Sequence, residues 1–204
     1  MSNKVWLKDK MNLYEIILEL ENNQKVTIEF FDGKKKLKKT FDFTYFTPYI
    51  EKKYPVYEKM DFICIGGIIL MNLTKNLIEK VIVNMKNERN TKNILKYAEL
   101  QNQDSPKVIV TEILPNSIVH NLSVLKKYDI ISEINDKKII SIKDVRKSLL
   151  KPLKNKKDLF IKFKTEENTE SVFELKQLSE NETNMADTFQ YTKDAVFKKL
   201  EKLL

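Results

Sequence analysis

The sequence predicts an α+β fold. Three observations lead there. Apolar residues at helical spacing alternate with short strand patterns along the chain. Turn signals such as Asp32-Gly33 and Asn135-Asp136 separate those strands. The chain has only 3 glycines, and Gly66 and Gly67 sit side by side inside a long apolar run. A helix and hairpin come first, a larger strand-and-helix body follows, and the chain closes on an amphipathic tail.

Met11 to Leu20 places Leu13, Ile16, Ile17 and Leu20 on one helical face. Lys25 to Phe31 then alternates, with Val26, Ile28 and Phe30 on one side and Thr27 and Glu29 on the other, the pattern of a half-buried strand. Asp32-Gly33 predicts a type I′ hairpin turn, and the return strand runs from Leu37 to Phe43. Tyr45 to Lys59 carries Phe46, Tyr49, Tyr54 and Tyr57 with two prolines, too aromatic for a flexible linker, and predicts an ordered connector. Phe62 to Asn72 predicts one buried strand and Leu73 to Val83 a helix. Asn87 to Asn93 predicts a loop, with a helical piece from Ile94 to Leu100. Strands are expected at 108–113, 128–134, 138–140, 159–164 and 171–175. Asn116 or Ser117 opens a short helix, Ser141 with Asp144 caps a second, and Pro152 ends it. From Ser179 the tail begins polar and ends on a stripe of Phe189, Val196, Phe197, Leu200, Leu203 and Leu204.

Composition bounds the function. The 204 residues suit one large domain or two small ones. The net charge of +8 is carried almost wholly by lysine, with arginine only at positions 89 and 146. Nucleic-acid sites more often combine arginine with exposed aromatics, so nucleic acid is not the expected partner. A single cysteine, Cys64, excludes an internal disulfide framework and fits a reducing compartment. The first residues lack the apolar core of a signal peptide, and the longest apolar stretch, Phe62 to Met71, is shorter than the ~20 residues a membrane helix needs. A soluble intracellular protein is expected. The lysine, asparagine and isoleucine usage fits an AT-rich genome, such as that of a parasite or a large DNA virus. One cysteine and one histidine cannot make a usual zinc site, and no phosphate loop or dinucleotide fingerprint occurs. No metal and no cofactor is expected.

Several stretches together resemble a known family. The run Phe62-Ile-Cys-Ile-Gly66-Gly67-Ile68-Ile69-Leu70-Met71-Asn72-Leu73-Thr74 is similar to the loop and ligand-pairing strand of the second PDZ domain of Do/HtrA-like serine proteases, the plant Deg type above all. Val108 to Leu114 is similar to the next strand. Tyr128 to Ile139 resembles the strand that ends in the family's Asn-Gly-Lys turn, with Asp136 here in place of the glycine. Phe173 to Ala195 resembles the C-terminal extension of that branch, and Met11 to Phe43 the closing half of a first PDZ domain. The resemblance implies a partly open antiparallel β-barrel or sandwich capped by helices. It divides the chain into a partial PDZ-like helix and hairpin (1–45), a connector (46–61), a PDZ-like domain (62–178) and an extension (179–204). The trypsin-like protease domain of the family has no counterpart here. There is no Gly-Asn-Ser-Gly segment, and the single histidine, His120, with Ser123 nearby, lacks the surroundings of a Ser-His-Asp triad.

What the resemblance implies is peptide binding by strand addition, not catalysis. Gly66 and Gly67 would receive a peptide carboxylate on their amides. Ile68, Ile69 and Leu70 would pair with the peptide, and Ile142, Val145 and Leu149 would line the facing helix. Such a groove favours apolar C-termini. Two readings of these residues stay open: a groove open to a peptide, or one filled internally or used in subunit contact. A homo-oligomer or a separately encoded protease chain is the alternative partner. The lysine run Lys34 to Lys39 reads as a solvated, edge-protecting hairpin, and Cys64 as an inert buried thiol.

Overall fold

The structure, a computed structural model, describes residues 12–45, 49–83, 91–103 and 105–204. Its contacts divide the chain into two units, 1–47 and 48–204.

In the first unit, α1 (Leu13–Leu18) starts at a full capping box. The Asn12 side chain accepts from Glu15 N at 2.9 Å, and the Glu15 carboxylate accepts from Asn12 N at 3.0 Å. The strands β1 (Lys25–Asp32) and β2 (Lys35–Asp42) pair antiparallel over their whole length, from Lys25 opposite Asp42 to Asp32 opposite Lys35. The turn therefore lies one residue later than the sequence predicts, at Gly33-Lys34. Of these two residues only Gly33 takes a positive φ (+61°), which makes the turn type II′, with glycine first, instead of type I′. Val26, Ile28 and Phe30 share one face with Leu37 and Phe41. No described residue of this unit is buried, and a lone two-stranded hairpin is marginal in water.

The second unit is built on an eight-stranded antiparallel sheet. It contains β3 (Phe62–Ile65), β4 (Ile68–Asn72), β5 (Val108–Ile113), β6 (Ile130–Ile134), β7 (Lys137–Lys138), β8 (Leu153–Asn155), β9 (Asp158–Thr165) and β10 (Glu170–Glu174). The main path runs β10-β9-β6-β5-β4-β3, with β7 joined to β6 and β8 to β9. The helices are α2 (Lys75–Val83), α3 (Lys92–Leu95), α4 (Ile118–Leu122), α5 (Ile142–Leu149), α6 (Leu175–Phe189) and α7 (Ala195–Leu200). The main core gathers Ile63, Ile65, Ile68, Leu70, Val110, Ile134, Phe163 and Phe173 from the sheet with Val145 and Leu149 of α5 and Phe197 and Leu200 of α7. A second cluster under α2 takes in Ile50, Ile78, Ile94, Tyr97, Ile109 and Ile130. Ile50, from the aromatic stretch before β3, is fully buried, and Lys53 N donates to the Asn76 side chain at 2.7 Å.

Three further expectations need correction. The apolar run Phe62 to Asn72 is two strands folded on each other, because Gly66-Gly67 reverses the chain. The strand expected from Tyr128 starts at Ile130, since Tyr128 sits at φ +74°. The tail is two helices. Helix α6 begins at Leu175, before the stretch read as polar, and Gln190 at φ +54° ends it, so that α7 starts anew at an Asp194 cap. Phe189, Leu203 and Leu204 are exposed, so only Val196, Phe197 and Leu200 of the expected stripe are buried. The loop expected at 87–93 lies mostly outside the described residues, as do Phe46 and Pro48 in the connector.

Asn135 locks α5 to the sheet. It sits at φ +52° in the β6–β7 turn, and Asp136 follows at +59°, the type I′ geometry that Asn and Asp tolerate. Its side chain accepts from Lys162 N at 2.9 Å and donates to Ser148 O at 2.9 Å and Lys151 O at 3.2 Å. Asn135→Ala strands those buried groups and loses a residue suited to positive φ. The expected cost is about 2–4 kcal/mol, read by urea unfolding. A change under about 0.5 kcal/mol would show that the turn does not depend on this side chain.

Candidate functional site

The centre of the site is the β3–β4 turn. Ile65 pairs with Ile68, leaving a two-residue loop in which Gly66 and Gly67 take φ +56° and +86°. Both signs match a type I′ turn. Glycine is needed here for space as well as for φ. A Cβ on Gly66 would overlap the Leu178 side chain, and one on Gly67 would overlap Ser117 Cβ, whereas a Cβ on Gly33 would meet nothing. The turn is thus wedged between α4 and α6.

A carboxylate already sits on its amides. Gly66 N donates to Glu182 Oε2 at 2.8 Å, and Tyr191 Oη donates to Glu182 Oε1 at 2.9 Å. The Cys64 thiol donates to Tyr191 Oη at 3.2 Å. Glu182 is fully buried. Burial raises its pKa, and the hydrogen bonds from Tyr191 and from the Gly66 and Gly67 amides only partly offset that. Next to Glu182, Asn181 accepts from Ile118 N at 3.3 Å, so α6 caps one backbone turn and one helix start with successive side chains. Burial, then the Glu182 charge, push the Cys64 thiol up to about 12, which makes it a poor nucleophile at neutral pH.

The residues expected to pair with a peptide lie in an inner strand. β4 pairs with β3 along one edge, from Ile65–Ile68 to Phe62–Met71. Along the other edge it pairs with β5, with a bulge between Ile69 and Leu70. Ile68 and Leu70 point into the main core. Ile69 points the opposite way, towards a small cluster of Cys64, Leu114, Met185 and Tyr191. Ile142, Val145 and Leu149 do face this part of the sheet, and all three are fully buried in one cluster with Ile63, Ile65, Val196, Phe197 and Leu200. The structure therefore brings Ile68, Leu70, Ile142, Val145 and Leu149 into one core, where the chain's own β3, α6 and α7 cover them, while Ile69 faces the other side of the sheet and Gly66-Gly67 form the turn at the end of β4.

An arginine fixes that covering. Arg146 of α5 donates from Nη1 and Nη2 to the Asp61 carboxylate at 2.9 and 2.7 Å and from Nη2 to Phe62 O at 3.1 Å. Its Nε donates to Asp194 Oδ2 at 2.8 Å, while Asp194 Oδ1 caps α7 by accepting from Val196 N at 2.9 Å. The Arg146 hydrogen bonds hold the Asp61 carboxyl below its usual range. One guanidinium thus joins α5, the start of β3 and the start of α7. Sequence reasoning did not single out Arg146, Asn181, Glu182 or Tyr191. In the sequence they are ordinary polar residues, and only tertiary contact distinguishes them.

His120 and Ser123 are not a base and nucleophile pair. His120 lies on the exposed side of α4 with Nδ1 3.4 Å from Asn121 Oδ1, and Ser123 Oγ donates to the His120 backbone carbonyl. Among the described residues no group of three or more His, Cys, Asp or Glu side chains could hold a metal, and no helix is long and apolar enough to cross a membrane.

A family model described as a PDZ domain matches residues 52–195, the stretch that holds the glycine turn, the whole eight-stranded sheet and α5. The chain belongs to the PDZ-domain family. No curated protein matches it. As a PDZ domain, residues 52–195 form a protein-interaction module in the general sense.

Two outcomes follow from the turn. Gly67→Ala meets both strained φ and the immovable Ser117 Cβ and is expected to cost about 2–4 kcal/mol in urea unfolding, against ~1 kcal/mol for Gly33→Ala, where only φ is at stake. Equal costs at the two sites would remove the packing argument. The second outcome concerns pH. Glu182 has a raised pKa in the folded chain, so its contribution favours folding below the ordinary value of 4.5 and is lost as pH rises through the folded value. Stability of Glu182→Gln relative to the unchanged chain should therefore climb as pH is raised from about 4 to 8. A flat difference would mean that Glu182 titrates as in the unfolded chain.

Proposed function

We propose that this chain is a non-catalytic PDZ-type module that takes up the C-terminal segment of a partner protein by β-strand addition at Ile68, Ile69 and Leu70. The partner carboxylate goes to the Gly66-Gly67 amides, and the apolar side chains go against Ile142, Val145 and Leu149. The observation that carries this reading is the Glu182 carboxylate on Gly66 N. It supports the view that the turn amide is placed to receive a carboxyl group. A peptide reaches the site by replacing the two internal occupants, β3 on the edge of β4 and Glu182 on the turn. Binding is therefore coupled to release of the C-terminal helices.

A second reading is assembly. The hairpin of the first unit presents Val26, Ile28, Phe30, Leu37 and Phe41 on one face with no buried residue among them, which favours a role in docking to another chain. In this reading the chain is a scaffold subunit or the regulatory piece of a separately encoded trypsin-like protease of the Do type. Co-purification with such a protease would support that origin.

The test uses the full chain and its Glu182→Ala variant. Each is titrated by fluorescence anisotropy with apolar-ended peptides and their C-terminally amidated twins. The expected result is weak binding by the unchanged chain and binding about tenfold tighter by Glu182→Ala, for free carboxylates only. Equal binding of the amidated twins would remove the carboxylate from the reading. No binding by either protein would leave assembly as the surviving function, to be read from native mass at several concentrations.

A further inference from the structure

The positive charge of this chain is concentrated in one region. Between Lys137 and Lys164 there are eleven basic residues and two acidic ones, a local excess larger than the net +8 of all 204 residues. Three of the basic residues are engaged: Arg146 in the clamp above, Lys162 with Asp136 and Glu170, and Lys164 with Glu133. Lys137, Lys138, Lys143, Lys147, Lys151, Lys154, Lys156 and Lys157 are exposed. Four of them, Lys137, Lys138, Lys147 and Lys151, line a groove of about 240 Å³ between β7 and the outer face of α5, together with Asp144 and Ser148.

The acids close to this groove are already engaged. Asp144 accepts from the Ser141 hydroxyl at 2.7 Å in the helix cap and lies 3.9 Å from Lys147, a loose contact. Asp136 is held by Lys162. Holding several like charges around one concave surface is unfavourable unless a counter-charge arrives, and a cleft lined by one sign focuses the field on that counter-charge. Lys147 stands on α5 and Lys151 just beyond its end, while Lys137 and Lys138 stand on the β7 wall. An extended chain with carboxylates at alternate positions can meet both walls.

We infer that this groove is an interaction surface for an acidic polypeptide segment, separate from the Gly66-Gly67 turn. Polypeptide is favoured over nucleic acid by two features. No aromatic residue lies between Lys137 and Asp158, so there is no platform for stacking bases, and the one arginine of the region is committed internally. The groove opens on the face of α5 opposite Ile142, Val145 and Leu149, which are buried. It can therefore be filled while β3, α6 and α7 stay in place.

The experiment measures anisotropy of a labelled ten-residue polyglutamate peptide with the full chain at low salt, beside a polyglutamine control and a ten-nucleotide single-stranded DNA. Two charge-reversed proteins are compared. One carries Lys137→Glu, Lys138→Glu, Lys147→Glu and Lys151→Glu. The other carries Lys25→Glu, Lys34→Glu, Lys35→Glu and Lys39→Glu on the hairpin of the first unit, an equal change in net charge at exposed sites. The expected result is binding of polyglutamate but not polyglutamine, weakened tenfold or more by the groove variant, little changed by the hairpin variant, and reduced at high salt. Equal losses in both variants would show a net-charge effect and overturn the site. DNA binding that exceeds polyglutamate binding and depends on the groove would overturn the choice of partner. Absence of polyglutamate binding would overturn the proposal. Glu182→Ala is expected to leave polyglutamate binding unchanged, so this result and that of the turn are read independently.

Discussion

The body of this protein depends on a turn without side chains. Gly66 and Gly67 reverse the chain between β3 and β4 at positive φ. Only because they lack Cβ atoms can Leu178 and Ser117 close on the turn from two sides. That closeness puts α6 near enough for Glu182 to receive an amide of the turn, and it leaves β3 lying along the edge of β4. The apolar seat for α7 follows from the same arrangement, since β3 contributes Ile63 and Ile65 to the cluster that takes Val196, Phe197 and Leu200.

The buried Glu182 does not by itself hold α6 down. Bringing an ionised carboxylate out of water costs several kcal/mol, while each hydrogen bond to a charged group returns about 1.5–3 kcal/mol. The raised pKa shows which side wins: desolvation outweighs the amide and the Tyr191 hydroxyl. The attraction comes from apolar burial. Leu175 and Leu178 are fully buried, each contributing roughly 1.5–3 kcal/mol, with Met185 and Ala186 adding part of the same. Glu182 supplies direction. It rewards one rotation and one register of α6, and its cost in the closed state makes that state easier to leave.

Much of the fold was legible because local rules and tertiary needs agreed. Ser117 and Ser141 both cap helices where their positions predict, and Asn135-Asp136 makes the expected turn. Ile142, Val145 and Leu149 form the buried stripe of α5. The β3–β4 hairpin was not legible as two strands, because Phe62 to Met71 is apolar on both sides of the glycines and shows no alternation. Its strands are covered on both faces, by the main core and by the Cys64, Met185 and Tyr191 cluster. The tail misled for a related reason. Leu175 continues the alternation of Ser171 and Phe173 in β10, and the polar stretch after Ser179 gives no sign that Glu182 is buried. Its partner, Gly66, is 116 residues away.

An internal occupant changes the arithmetic of binding. β3 is joined to β4 by two residues and cannot diffuse away, so an incoming strand competes against an effective concentration in the millimolar range or above. The apparent affinity of such a strand is its intrinsic affinity divided by the rarity of the open state. If the open state is one part in a hundred, a ligand of micromolar intrinsic strength shows only about 100 μM, and selection for partners falls on those that meet the module at a second point. The one carboxylate lining the lysine groove, Asp144, is held in the α5 cap by Ser141, so a segment binding there has no paired strand to displace. An acidic stretch upstream of a partner's C-terminus would be held at the groove first, tethering the partner to the same domain as the closed turn. Such a partner gains where an isolated C-terminal peptide does not. On the two proposals together, the surfaces would act in sequence, with charge delivering the chain and the glycine turn receiving its end.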